Sequence, residues 1–276
     1  MKNQFIVSLA HFCEMHGPSV VMCTQCVGKD EVDSLRLDEF QPPSNLCESC
    51  RLKIPKQEGS VVDKRADENV NDNDSDNLQR LFEKQRIGND EPSLVRSIFK
   101  DKTYISSQIP NSQVKDNALR QIVTRCLSLE ISYDSSKPVM FGDATVGYSI
   151  VMTFKLKDLL ARGSERKYAF IVTSEKETEL MNHWNKIVSD LSAMVEYIVT
   201  KLNEIEKQQE DGKENDDQNT TTGDDQLSFI ANTNERFYRR AGGDTQPKSI
   251  CSLLKDTNFF VKLHMWACTL LYDINN

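Results

Sequence analysis

Long apolar runs are missing from this chain. The longest near-apolar stretches are too short or too polar to span a bilayer. The opening residues, Met1-Lys2-Asn3-Gln4-Phe5, pass straight into a strand-like run with no apolar leader and cleavage site, so no secretory signal is expected. There is no basic excess either: the formal net charge is −8, which argues against a nucleic-acid-binding face. No Walker sequence or glycine-rich phosphate loop is present, so the chain is not expected to hold a nucleotide by itself. Its four histidines, His11, His16, His183 and His264, have no serine or cysteine nucleophile motif beside them. Hydrolase, membrane and nucleic-acid classes lose their support, and a cytosolic protein is expected.

The acidity is concentrated. Residues 59–78 carry six acids against two bases, and residues 206–226 carry eight against two, so the rest of the chain is close to neutral. Both tracts are too polar to bury enough surface to offset chain entropy. Disordered insertions are therefore expected over 58–100 and 207–248, within a single folded unit spanning 1–276.

Eight cysteines without a secretory signal point to a reducing compartment, and hence to thiols or metal ligands in place of disulfides. Cys23-x-x-Cys26 and Cys47-x-x-Cys50 have the doubled spacing of a tetrahedral Cys₄ zinc site, structural in role. The alternative is four reduced thiols in an irregular region. Cys13, Cys126, Cys251 and Cys268 read as small buried hydrophobes, and His16, before Gly17-Pro18, reads as a turn residue.

Order is strongest over 147–172. Tyr148, Ile150, Met152, Phe154 and Leu156 alternate along an extended segment and share a face. A second β-rich run, Tyr168-Ala169-Phe170-Ile171-Val172, completes a central antiparallel hairpin. The loop between them offers Arg162 between two small residues, Ala161 and Gly163. An opening hairpin is expected from 4–12 and 19–24, a brief extended piece at 103–105 and a short strand at 138–141. Helices are expected from the stripes Leu119-Ile122-Val123-Cys126-Leu127 and Trp184-Ile187-Val188-Leu191-Met194-Val195-Ile198-Leu202-Ile205. A last helix carries Phe259, Phe260, Leu263, Trp266, Ala267, Leu270 and Leu271 behind an Asp256-Thr257 cap. The order β-β-α-β-β-β-α-α gives an α+β domain with a five-stranded, mostly antiparallel sheet and three helices, which matches the longin order.

Particular residues sharpen that match. His11-Phe12-Cys13-Glu14-Met15-His16-Gly17-Pro18 resembles the N-terminal signature of the folliculin family, and Cys47-Glu48-Ser49-Cys50 resembles its CE-x-C element. Tyr104-Ile105-Ser106 with Gln108 and Pro110, then Phe141-Gly142-Asp143, then Lys157-Asp158 with Leu160-Ala161-Arg162-Gly163, resemble further elements in the same order. Trp266-Ala267 resembles another. The chain resembles the short fungal form, a longin domain without the C-terminal DENN domain of animal members.

The resemblance implies a function. Folliculin-type proteins pair with a folliculin-interacting protein as a heterodimeric GTPase-activating complex on Rag C/D-type GTPases, in amino-acid signalling to TOR complex 1 at the vacuolar or lysosomal membrane. The arginine of the LARG element is that family's catalytic finger, so the resemblance assigns the role to Arg162. Asp158, Lys157 and Lys167 are candidates for ordering the loop or touching the GTPase. The competing reading is a non-catalytic longin adaptor for membrane recruitment or permease trafficking.

Overall fold

The computed structural model describes residues 5–28, 45–55, 94–100, 102–128, 137–158, 160–214 and 247–275. Its elements run β1 (Ile6–Cys13), β2 (Gly17–Val27), β3 (Leu94–Phe99), β4 (Lys102–Ser107), α1 (Gln113–Leu127), β5 (Val139–Asp143), β6 (Gly147–Lys157) and β7 (Glu165–Ser174). Then come α2 (Glu177–Asn182), α3 (Trp184–Glu214), α4 (Ile250–Leu253) and α5 (Phe259–Ile274).

The strands form one antiparallel sheet in the order β3-β4-β2-β1-β7-β6-β5. The α+β class is as expected, but the sheet has seven strands where five were expected. The two additional strands come from a hairpin, β3 with β4, that continues the sheet beyond β2. Only the end of the expected 58–100 insertion is described. Its Leu94 and Val95 are buried in β3, because they have a neighbouring strand to pair with and a core to face. The rest of that insertion lies outside the described residues. So does most of the 207–248 insertion, though its first residues continue α3 as far as Glu214.

Both faces of the sheet are covered, which explains why β6 and β7 are buried along nearly their whole length. Ile150, Met152, Phe154 and Leu156 share one face with Phe170 and Val172, under the stripes of α3 and α5. Val151, Ala169 and Ile171 point the opposite way and pack with Leu119, Ile122, Val123, Cys126 and Leu127 of α1. Burying these side chains from water is the main term holding the layers together, at roughly 25 cal/mol per Å² of apolar area.

Two places depart from the regular pattern. The β1–β2 register slips between Leu9 and Ala10. Val21 and Met22 consequently fall in the same cluster, as at a β-bulge. Asp256, expected to cap the last helix, sits two residues ahead of the actual N-cap, Asn258. It accepts from the Asn258 backbone N–H at 3.0 Å and from Lys262 at 2.7 Å, and also pairs with Lys201.

Candidate functional site: the arginine turn and the thiol cluster

The segment joining β6 to β7 is a closed turn. Asp158 and Arg166 sit at its base, and Arg166 Nε donates to Asp158 Oδ2 at 2.7 Å with both side chains at least 95% buried. The Asp158 backbone N–H donates to Ser164 O at 3.0 Å, Ala161 N–H to Asp158 O at 2.9 Å, and Ser164 N–H to Ala161 O at 2.9 Å. A single 3₁₀ turn, Arg162–Ser164, forms the tip. Gly163 has φ 77°, in the left-handed region. An added Cβ would meet nothing within 4 Å, so the demand for glycine here is conformational and not steric. Ala161 is buried while Arg162 is exposed, so the turn anchors on one and offers the other.

Of the residues expected to order this loop, Asp158 does so, through Arg166 and the Leu160 N–H. Lys157 instead pairs with Glu206 of α3 at 3.3 Å. Lys167 is half-buried in β7. Sequence reasoning overlooked Arg166. The signal was an aspartate and an arginine bracketing a short glycine-containing loop at the ends of two paired strands.

A second contact fixes the tip. The Arg162 backbone N–H donates to Glu14 Oε1 at 2.5 Å, across 148 residues of sequence. Glu14 belongs to the β1–β2 turn, so two hairpin ends meet here. Met15 and Leu160, both exposed, lie in these same two turns.

The β1–β2 turn also carries thiol chemistry. Cys13, His16, Cys47 and Cys50 bring three sulfurs and an imidazole nitrogen together, all within 4.8 Å of one another, in a group able to hold a metal ion. Cys13 Sγ lies 3.5 Å from Cys47 Sγ and 3.6 Å from His16 Nδ1, and Cys50 Sγ lies 3.5 Å from His16 Nδ1. Hydrogen bonding within the Cys13–Cys50 pair draws the Cys13 thiol well below its ordinary range and pushes Cys50 above it. His11 stacks on Tyr168 and places Nε2 3.2 Å from Cys50 Sγ. Burial lowers its pKa to about 4, so it meets that sulfur as a neutral ring.

This corrects the expected Cys₄ set. Cys47 and Cys50 are in the cluster, but Cys23 and Cys26 are not. Both lie in β2, where side chains alternate, so residues three apart leave the strand on opposite faces. Cys23 packs beside α1 with its sulfur 4.0 Å from Ser107 Oγ, and burial pushes its thiol up to about 12. Cys26 packs against the other core. Their places are taken by Cys13, expected to be a core hydrophobe, and His16, expected to be a turn residue. The β1–β2 turn brings these two to one side. A C-x-x-H in that turn followed by a C-x-x-C in another was the signal available. Cys13, Cys126, Cys251 and Cys268 are all buried, as expected.

Among the described residues, no helix is long and apolar enough to cross a membrane.

Comparison with known proteins supplies the rest. The chain is 28% identical to Protein LST7 of Saccharomyces cerevisiae, over 98% of this chain and 96% of that protein. It is 25% identical to Folliculin-like protein bhd1 of Schizosaccharomyces pombe, over 70% of this chain and 68% of that one. It is 24% identical to Folliculin of Xenopus tropicalis over 95% of this chain, which spans 43% of the Xenopus protein. The folliculin family, described as "Vesicle coat protein involved in Golgi to plasma membrane transport", matches residues 102–274. With well over half its length matched and an antiparallel sheet between helices, this chain belongs to the folliculin family, as a longin-type α+β protein.

Proposed function

We propose that this chain is the arginine-supplying subunit of a heterodimeric GTPase-activating complex. The observation that supports this most directly is an exposed Arg162 at the tip of a turn closed by a buried ion pair. A planar, permanently charged guanidinium meets two γ-phosphoryl oxygens as negative charge spreads over them in the transition state. It needs a rigid base, so that the cation is already in place when charge develops. Lysine would deliver only a point charge without the fork.

The GTPase in this reading is of the Rag C/D type, and the other subunit is a folliculin-interacting-protein orthologue. Among the described residues, β3 and β5 end the sheet with no further strand paired to them, and a second longin sheet can pair along such an edge. The exposed apolar side chains Met15 and Leu160 add contact surface near the arginine. The setting is amino-acid signalling to TOR complex 1, with peripheral recruitment to the vacuolar membrane through partners.

The decisive measurement is single-turnover GTP hydrolysis by a Rag C/D-type GTPase, with the wild-type heterodimer and with Arg162→Ala. An arginine finger supplied in trans is worth about 10³ to 10⁵ in rate, so the variant should bind the GTPase nearly normally and lose most of the stimulation. Full stimulation by Arg162→Ala would overturn the reading. It would favour instead a non-catalytic adaptor in membrane traffic, which the family's description as a vesicle coat protein supports.

A further inference from the structure

We infer that Cys13, His16, Cys47 and Cys50 bind one zinc ion, and that this ion clamps the turn that steadies Arg162. The zinc site stands on its own geometry. Only the value of steadying Arg162 rests on the proposed GTPase-activating role.

Distances are the first argument. Zinc bonds of about 2.3 Å to sulfur and about 2.05 Å to nitrogen, arranged tetrahedrally, place two sulfurs about 3.8 Å apart and a sulfur about 3.6 Å from a nitrogen. The sulfur–sulfur distance between Cys13 and Cys47 is 3.5 Å, and the two sulfur–nitrogen distances to His16 are 3.6 and 3.5 Å. An ion needs little rearrangement to enter.

Donor chemistry is the second. Three thiolates and one imidazole suit zinc and reject calcium and magnesium, which take oxygen. Four protein ligands also fill a tetrahedron and leave no open position, the mark of a structural site. Zinc would replace the thiol protons, which leave to solvent, and the three thiolates with Zn²⁺ would carry one net negative charge.

The surroundings answer that charge. Each sulfur has a donor of its own: the Met15 backbone N–H lies 3.4 Å from Cys13, Ser49 Oγ 3.2 Å from Cys47, and His11 Nε2 3.2 Å from Cys50. His11 Nδ1 is buried without a partner among the described residues, consistent with the tautomer that puts the proton on Nε2, toward sulfur. Such second contacts orient metal ligands and stabilise their charge. Gln108 Nε2 donates to Cys50 O at 2.6 Å and to Val20 O at 3.2 Å, tying the second ligand pair to β2.

The mechanical consequence comes through Glu14, which lies between ligands Cys13 and His16 and accepts from the Arg162 N–H. Fixing both ligands fixes the segment between them. The arginine tip is thereby held from the metal side as well as by its own ion pair.

The test uses the purified full chain, prepared without chelator. Metal analysis should give about one zinc per chain, and exchange into cobalt should give the intense visible bands of tetrahedral thiolate ligation. Cys13→Ser and Cys47→Ser should each lower metal content at least tenfold, while Cys23→Ser and Cys26→Ser keep it. If a ligand variant fails to fold, the wild-type cobalt spectrum still decides. Absence of both zinc and cobalt uptake would overturn the site, and loss of metal in the Cys23 or Cys26 variants would overturn this donor set. For the clamp, hydrogen exchange at the Arg162 amide should quicken at least tenfold on chelation and likewise in metal-loaded Glu14→Ala. Exchange unchanged by chelation would remove the clamp and leave the metal site standing.

Discussion

Two segments of this protein have the same spelling, Cys-x-x-Cys, and opposite fates. In 23–26 it lies within a strand, where side chains alternate, and the thiols part to the two cores of the sheet. In 47–50 it lies in a turn, where the Cys50 N–H donates back to Cys47 O at 3.2 Å and both sulfurs face one centre. A ligand motif is therefore a statement about backbone as much as about spacing. The partner of the turn pair is a second turn, Cys13-Glu14-Met15-His16, and not the other Cys-x-x-Cys.

The largest expected difference between the two pairs is in response to a chelator. A site holding zinc at a thousand times its dissociation constant gains about 4 kcal/mol. Chelation should lower the thermal midpoint of wild type and of Cys23→Ser alike, and leave Cys47→Ser unmoved. A Cys23→Ser protein insensitive to chelator would abolish the contrast.

The strand side can be probed by pH. One residue from Cys23, Thr24 Oγ1 lies 2.6 Å from Ser106 Oγ, which lies 2.6 Å from His264 Nδ1, and His264 Nε2 lies 2.8 Å from Ser97 Oγ. Burial lowers the His264 pKa from 6.5 to about 4. Above pH 6.5 the ring is neutral in both folded and unfolded chains and stability is fully present. As pH falls from 6.5 toward 4 the unfolded chain takes a proton that the folded chain refuses, and stability is lost. The expected loss approaches about 3 kcal/mol, at about 1.4 kcal/mol per unit. Denaturant melts from about pH 7 to about pH 4 should show this slope added to the one buried His11 contributes over the same window, and His264→Gln should remove the His264 share and leave the rest.

Smaller effects belong to single thiols. Cys23→Ala should cost about 1 to 2 kcal/mol, as a modest deletion in a close-packed core. Its thiol, pushed up to about 12 by burial, should resist alkylation in the native protein. Rapid native alkylation of Cys23 would show that the strand pair is not part of a closed core.

Much of the fold could be read from the residues alone. The alternation from Tyr148 to Leu156 and the helical stripes on either side each report one period of one element, and those periods survive in the structure. The β3 strand escaped because its short run comes after a polar tract, and its pairing with β4 is a tertiary fact. For the site, the exposed arginine between two small residues was legible. Arg166 was not, since a charged residue at a strand start normally faces water and here is 6% exposed. The thiol cluster was half legible. Cys47 and Cys50 announced themselves, whereas Cys13 reads as packing and His16 as a turn residue, because a turn can also be a ligand and only proximity distinguishes the two.

The ion pair at the neck of the arginine turn bears on how tightly any partner is held. Threading a slack peptide into a cleft immobilises many torsions at roughly 1–2 kcal/mol per residue, a cost drawn from binding energy. Here the main chain around the cation is already settled before an encounter. If a partner takes Arg162, the arginine's own share of the ordering cost is one long side chain, worth at most about 2 kcal/mol, while the rigid-body cost of association is unchanged.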